Sequence, residues 1–219
     1  MKKKLLILSL LLITGCIGFN EEKKEPKKTE ERVNIVNIVK NRKNYTKKQL
    51  ELKKYFDEYL VRLNSLDTEG VIDMTYPKLF IPINKTIFKQ YINNVLTSDQ
   101  ISIESYDTNI TDIGKVQSYD NGEFAKLKYK ATITLGFINP NLYSDELSIR
   151  VLNNILSEKY GQENIQIDST NRVITIHEEQ KLLAIKDNNS DEEWKFIGDN
   201  PEYRKLYPEI LPKEILSQI

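Results

Sequence analysis

EFAKLKYKATITLGF, residues 123–137, decides how the rest of the chain is read. Ala125, Leu127, Tyr129, Ala131, Ile133, Leu135 and Phe137 alternate with Lys126, Lys128, Lys130, Thr132 and Thr134. Strict alternation puts successive side chains on opposite faces of a strand, so one face is buried and the other wet. The length predicts a long, bent strand inside an antiparallel sheet. Asp120-Asn121-Gly122 precedes it and predicts a tight hairpin. Residues 101–109 and 110–119 then read as strands, with Gly114 as a bend or bulge.

Upstream of the sheet the period changes to 3.6. Leu52, Tyr55, Phe56, Tyr59, Leu63 and Leu66 recur at helical spacing behind Thr46, an N-cap residue. A short helix is expected over residues 68–75, before Pro77 and Pro82 break the chain. Asn84 caps a third helix whose stripe is Ile87, Phe88, Tyr91, Ile92, Val95 and Leu96. Downstream, Ser144 is expected to cap a helix with Leu147, Val151, Leu152, Ile155 and Leu156 inward and Gly161 as its stop. Residues 165–168 with 172–178, and 181–186 with 193–198, read as two separate hairpins. Pro212 opens a short last helix. Helices first and antiparallel hairpins after them predict an α+β fold: N-terminal helices on a curved antiparallel sheet, with an inserted helix-hairpin.

Composition narrows function. Of 219 residues, 32 are Lys or Arg and 32 are Asp or Glu, so the basic surface a general nucleic-acid binder needs is missing. The single Cys excludes an internal disulfide framework and any multi-Cys metal site. With one His, a Ser-His-Asp or Cys-His mechanism would have to run through His177. Phosphate-binding Gly-rich loops, G-x-S-x-G and H-E-x-x-H are absent from the sequence.

Candidate chemistry is sparse. His177 beside Glu178 and Glu179 suggests a general base, weighed against an exposed strand-end histidine, which is the commoner arrangement. Glu104, Asp107 and Asp112 suggest carboxylates meeting across a hairpin, weighed against solvated turns. DNNSDEE, residues 187–193, lacks the sixth-position Gly and twelfth-position Glu of a calcium loop and reads as an Asn-rich turn. Lys126, Lys128 and Lys130 read as aggregation-blocking surface charge, and Trp194 with Phe196 as core. The expectation is no cofactor, no metal and no catalytic residue.

The N-terminus is more telling. Lys2, Lys3 and Lys4 precede an apolar run of about ten residues, half of what a membrane span needs. Ile13-Thr14-Gly15-Cys16 follows and resembles the lipobox of bacterial lipoproteins. The resemblance implies cleavage before Cys16, a diacylglycerol thioether on its sulfur and an acylated new amino terminus. It also implies a membrane partner through the lipid on Cys16 and a place in the cell envelope. Ile17 stands where lipoproteins held in the inner membrane of Gram-negative bacteria often carry Asp, which points to the outer membrane. NEEKKEPKKTEER, residues 20–32, carries no apolar side chain and reads as a solvated tether, while residues 33–39, VNIVNIV, fit either a short helix or an extended segment. The organisation expected is a signal peptide over 1–15, a lipidated Cys and tether over 16–45, and one domain over 46–219.

The order of elements in the domain is similar to that of the nuclear-transport-factor-two-like superfamily of cystatin-like α+β folds. The residues that carry it are the helix over 47–66, the helix over 84–96, the strand over 123–137 and the hairpin ending in Glu193-Trp194-Lys195-Phe196. The resemblance implies a cone-shaped sheet with helices on its concave face. That superfamily holds both pocket enzymes and non-catalytic binding domains, and no catalytic motif of it can be matched here. The expected function is a membrane-anchored lipoprotein with a non-catalytic ligand- or protein-binding domain. The alternative is a cone-pocket enzyme or small-ligand carrier using Tyr and Asp side chains.

Overall fold

The computed structural model describes residues 44–139, 145–199 and 201–219. The lipobox, Cys16 and the tether lie outside the described residues. Among the described residues no helix is long and apolar enough to cross a membrane.

Three helices come first: α1 (Lys47–Asn64), α2 (Thr68–Asp73) and α3 (Lys85–Leu96). Thr46 caps α1 through a reciprocal box, its hydroxyl accepting from the Gln49 N–H while the Gln49 side chain accepts from the Thr46 N–H. Asp67 accepts from Gly70 N–H at 2.9 Å and starts α2, and Asn84 accepts from Ile87 N–H at 3.0 Å and starts α3.

Six strands form one antiparallel sheet: β1 (Ile101–Ile113), β2 (Gln117–Tyr119), β3 (Gly122–Phe137), β4 (Ile165–Asp168), β5 (Val173–Asp187) and β6 (Lys195–Gly198). The main order is β1-β3-β5-β4, with β2 on β3 and β6 on β5. The quoted strand is therefore central, as its buried face requires. Gly122 is glycine because a Cβ there would meet the Lys186 carbonyl oxygen at 2.1 Å.

Two expected boundaries move. Of the strands expected over 101–109 and 110–119, residues 101–113 are one strand, with register shifts at 103–105 and 110–112, and 117–119 is a separate one. The two downstream hairpins share a strand, because β5 runs unbroken through Glu178, Glu179, Gln180 and Lys181. Four polar residues in a row look like a break. In the structure they alternate, Glu179 and Lys181 outward and Glu178 and Gln180 inward.

Between β3 and β4 lies α4 (Glu146–Tyr160). Its N-cap is Asp145, which accepts from Ser148 N–H at 2.8 Å; Ser144 lies outside the described residues. Gly161 ends it at φ +85°. The short helices α5 (Tyr207–Ile210) and α6 (Lys213–Leu216) close the chain.

The core has two parts, one on each sheet face. The larger joins Leu52, Phe56, Tyr59 and Leu63 of α1 and Leu156 and Tyr160 of α4 to the inward residues of β3 and β5. The smaller sets Tyr207, Ile210 and Ile215 against Phe124, Leu183, Ile185 and Ile197. Leu182-Leu183-Ala184-Ile185 is apolar on both parities because both faces are covered there. An ion pair from Lys186 Nζ to Glu51 Oε1 at 2.7 Å ties α1 to β5, and the ammonium holds the Glu51 carboxyl below its ordinary range.

Candidate functional site

The face of β5 that looks toward α1 and α4 carries two polar residues in an apolar row. Ile174 and Ile176 precede Glu178 and Gln180, and Leu182 and Ala184 follow. Glu178 pairs across the ladder with Ala131 and Gln180 with Tyr129. The small Ala131 side chain leaves the space beside Glu178 to larger neighbours, which are tyrosines. Tyr129 and Tyr160 both feel the Glu178 charge, and Tyr59, Tyr106 and Tyr129 perturb one another.

Burial governs the protonation of this group. Loss of hydration pushes the Glu178 carboxyl up to about 7, against the pull of the Gln180 amide and the Lys159 charge. The same cause holds the hydroxyls of Tyr59, Tyr129 and Tyr160 above the usual tyrosine range, so all three stay protonated. Glu178 Oε1, the Tyr160 hydroxyl and the Ser157 hydroxyl are buried without a hydrogen-bond partner, and the buried Gln180 amide faces the Glu178 carboxyl from outside close hydrogen-bond geometry. Buried polar groups are nearly always paired, so such a cluster marks a place where function and packing compete.

Next to this cluster is a cavity of about 100 Å³. Leu63 and Leu66 of α1, Val71 of α2, Phe88 and Ile92 of α3 and Ile103 of β1 give it an apolar wall. Two of its polar lining residues are engaged: Asp67 with Arg62 and Gly70 N–H, and the Thr75 hydroxyl with the Val71 carbonyl at 2.8 Å. Tyr59 and Tyr106 line the cavity and belong to the tyrosine group as well. Aromatic contacts continue inward. Tyr59 meets Phe196 at 4.8 Å between centroids, Phe196 meets Phe56 at 5.9 Å, and Phe56 meets Tyr129 edge-on at 6.0 Å.

The roof of the cavity is α3. Lys89 pairs with Glu69, Lys85 approaches Asp73 at 3.6 Å, and the Phe88 ring packs edge-on against Phe80 at 5.7 Å. Phe88 and Val95 are the residues of α3 that are fully buried; Ile92 and Leu96 are half-buried and Ile87 is exposed. The regular stripe read as core is thus partly a cavity wall.

Comparison with protein-family models, with curated proteins and with solved structures finds no match to this chain.

The residues singled out from sequence fall elsewhere. His177 lies mid-strand on the outward face of the sheet, its Nδ1 3.0 Å from Thr132 Oγ1, whereas Glu178 points to the inward face. The two therefore stand on opposite sides of the sheet and form no dyad. Glu104, Asp107 and Asp112 follow one another along β1 and do not meet across a hairpin. Lys126, Lys128 and Lys130 are exposed on β3, and Lys128 approaches Glu179 at 3.6 Å. Trp194 and Phe196 are core. Residues 188–190 form a single 3-10 turn, and Asp187, on the face of the second core, is buried as its cap. The tyrosines Tyr59, Tyr106, Tyr129 and Tyr160 with Glu178 and Gln180 were not read as a group. The available signal was period 2 carried through residues 174–184, which puts Glu178 and Gln180 in phase with Ile176 and Leu182.

Proposed function

We propose that this chain is a lipid-anchored protein of the bacterial envelope whose domain takes up a small apolar ligand, or the apolar end of a larger one, between α1, α2, α3 and the sheet. The carrying observation is the cavity itself. A cavity walled by aliphatic and aromatic groups stays dry and takes apolar guests, an engineered one of about 150 Å³ holding benzene. At about 100 Å³ this one suits a short alkyl group, and α3, where Ile92 and Leu96 are half-buried, is the wall that yields to a longer one. Attachment to the membrane follows from the resemblance of Ile13-Thr14-Gly15-Cys16 to a lipobox. Several acyl chains hold a protein firmly, each buried CH₂ contributing about 0.8 kcal/mol.

Two measurements test the two halves. Cys16→Ser is expected to move the protein from the membrane to the soluble fraction and to abolish palmitate labelling; retention with labelling contradicts the anchor. Native mass spectrometry of the chain extracted from membranes is expected to show a bound apolar molecule that Val71→Trp excludes. An unliganded spectrum under gentle extraction, identical for both forms, contradicts the pocket.

A second reading draws on Glu178. A buried carboxyl titrating near 7 beside protonated tyrosines has the protonation behaviour of a general base with hydrogen-bond donors around it. Glu178 does not line the cavity, so on that reading the catalytic group lies among the tyrosines beside it, and Glu178→Gln abolishes turnover while leaving ligand uptake intact.

A further inference from the structure

The outward side of α4 is apolar. Leu147, Val151 and Ile155 recur every four residues and are 66%, 50% and 37% exposed. At about 100° per residue they form a band some 80° wide. Leu156 and Tyr160, the residues of α4 that are fully buried, lie on the other side of the helix. Sequence pattern assigned Leu147, Val151 and Ile155, with Leu156, to the core. The sheet contact covers only part of the arc, and the rest faces away from the domain. Ile138, just past the end of β3 and before α4, is a further exposed apolar side chain. Arg150 stands on one flank of the band and Lys159 on the other, while Glu158 sits within it.

The length of chain between Cys16 and the domain bears on what this face can reach. About 28 residues separate Cys16 from Asn44, and residues 20–32 among them are charged and without apolar side chains. A solvated tether of that length, as the composition of residues 20–32 suggests, would have a root-mean-square span of roughly 30 Å. A domain of this size measures roughly the same across. A tether of that reach lets any face of the domain turn to the bilayer and keeps the bilayer at an effective concentration on the order of millimolar. Three half-exposed aliphatic side chains are too few to bind a membrane from solution but enough to choose an orientation once tethered. Arg150, paired with Glu146 at 2.9 Å, can lay its stem along the apolar band and keep its charge at headgroup level, whereas the Lys159 ammonium turns to the Tyr160 ring at 4.7 Å. Glu158 limits the depth to the interface.

We propose that the outward face of α4 rests on the headgroup–acyl boundary of the bilayer that carries the Cys16 lipid. This rests on the anchoring reading above and is independent of what the cavity holds.

The natural chain has one cysteine, and lipidation consumes its thiol. Val151→Cys therefore introduces a single reactive thiol, and Asp57→Cys on the exposed side of α1 supplies the control. Each anchored variant, carrying an environment-sensitive fluorophore, is reconstituted in phosphatidylethanolamine–phosphatidylglycerol vesicles containing lipids brominated near the headgroup. The expected result is a blue-shifted emission at position 151 with about twice or more the quenching seen at position 57. Equal quenching at the two positions, with lipid on Cys16 confirmed by mass, overturns the docking and leaves the anchor standing. A chain without lipid on Cys16 overturns both. A blue shift at position 151 that needs no vesicles and grows with protein concentration assigns the face to a second copy and overturns the proposal.

Discussion

The Tyr76 hydroxyl donates to Asp187 Oδ2 at 2.8 Å, joining the segment after α2 to the last residue of β5. Asp187 is 1% exposed and also accepts from the Tyr119 hydroxyl at 3.1 Å and from Asn189 N–H at 2.9 Å. A buried carboxylate is tolerated only when its lone pairs are met. Tyr76→Phe leaves one oxygen short of a donor and is expected to cost about 1–3 kcal/mol. Denaturant unfolding checks this. Tyr119→Phe, on a half-buried ring, is expected to cost less.

Glu178 sets a pH dependence of the opposite sign to most carboxylates. Its folded pKa of about 7 lies above the ordinary value of 4.5. Between those values the native state holds a proton the unfolded chain has lost, so stability falls as pH rises. The group's contribution is complete below pH 4.5 and is gone above pH 7. Glu178→Gln is expected to flatten the stability profile over that window and to raise stability at pH 8 by on the order of 2–3 kcal/mol. Urea midpoints at pH 5 and pH 8 for both forms measure it.

Gly161 ends α4 at φ +85°, where an L side chain is strained. Gly161→Ala is expected to destabilise by about 1 kcal/mol or somewhat more. The thermal midpoint should fall by about 2–4 °C per kcal/mol in a domain of this size. An unchanged midpoint means the turn relaxes.

Much of the fold is legible in the chain. Residues 123–137 announce a half-buried central strand, and Thr46, Asn84 and Gly161 mark helix ends by side-chain and backbone chemistry that needs no tertiary context. The site is legible only in part, for physical reasons. Glu178 and Gln180 are polar groups at core positions, so pattern reading cuts β5 where the strand continues. Leu147, Val151 and Ile155 are apolar at surface positions, so it turns α4's whole arc inward. Phe124 and Ile185 lie on the parity that is wet farther along the same strands, and α5 and α6 with Tyr76 and Tyr119 explain their burial. Both kinds of exception arise where a helix covers just one part of a sheet face.

The pocket is tested most directly by methyl-resolved NMR of the mature chain under xenon pressure. Xenon enters dry apolar cavities of this scale without needing a polar contact. The account predicts saturable shifts confined to the methyls of Leu63, Val71, Ile92 and Ile103, with Ile210 and Ile215 in the second core unmoved and the effect lost in Val71→Trp. Shifts of equal size in both cores, or none at the cavity, would contradict it.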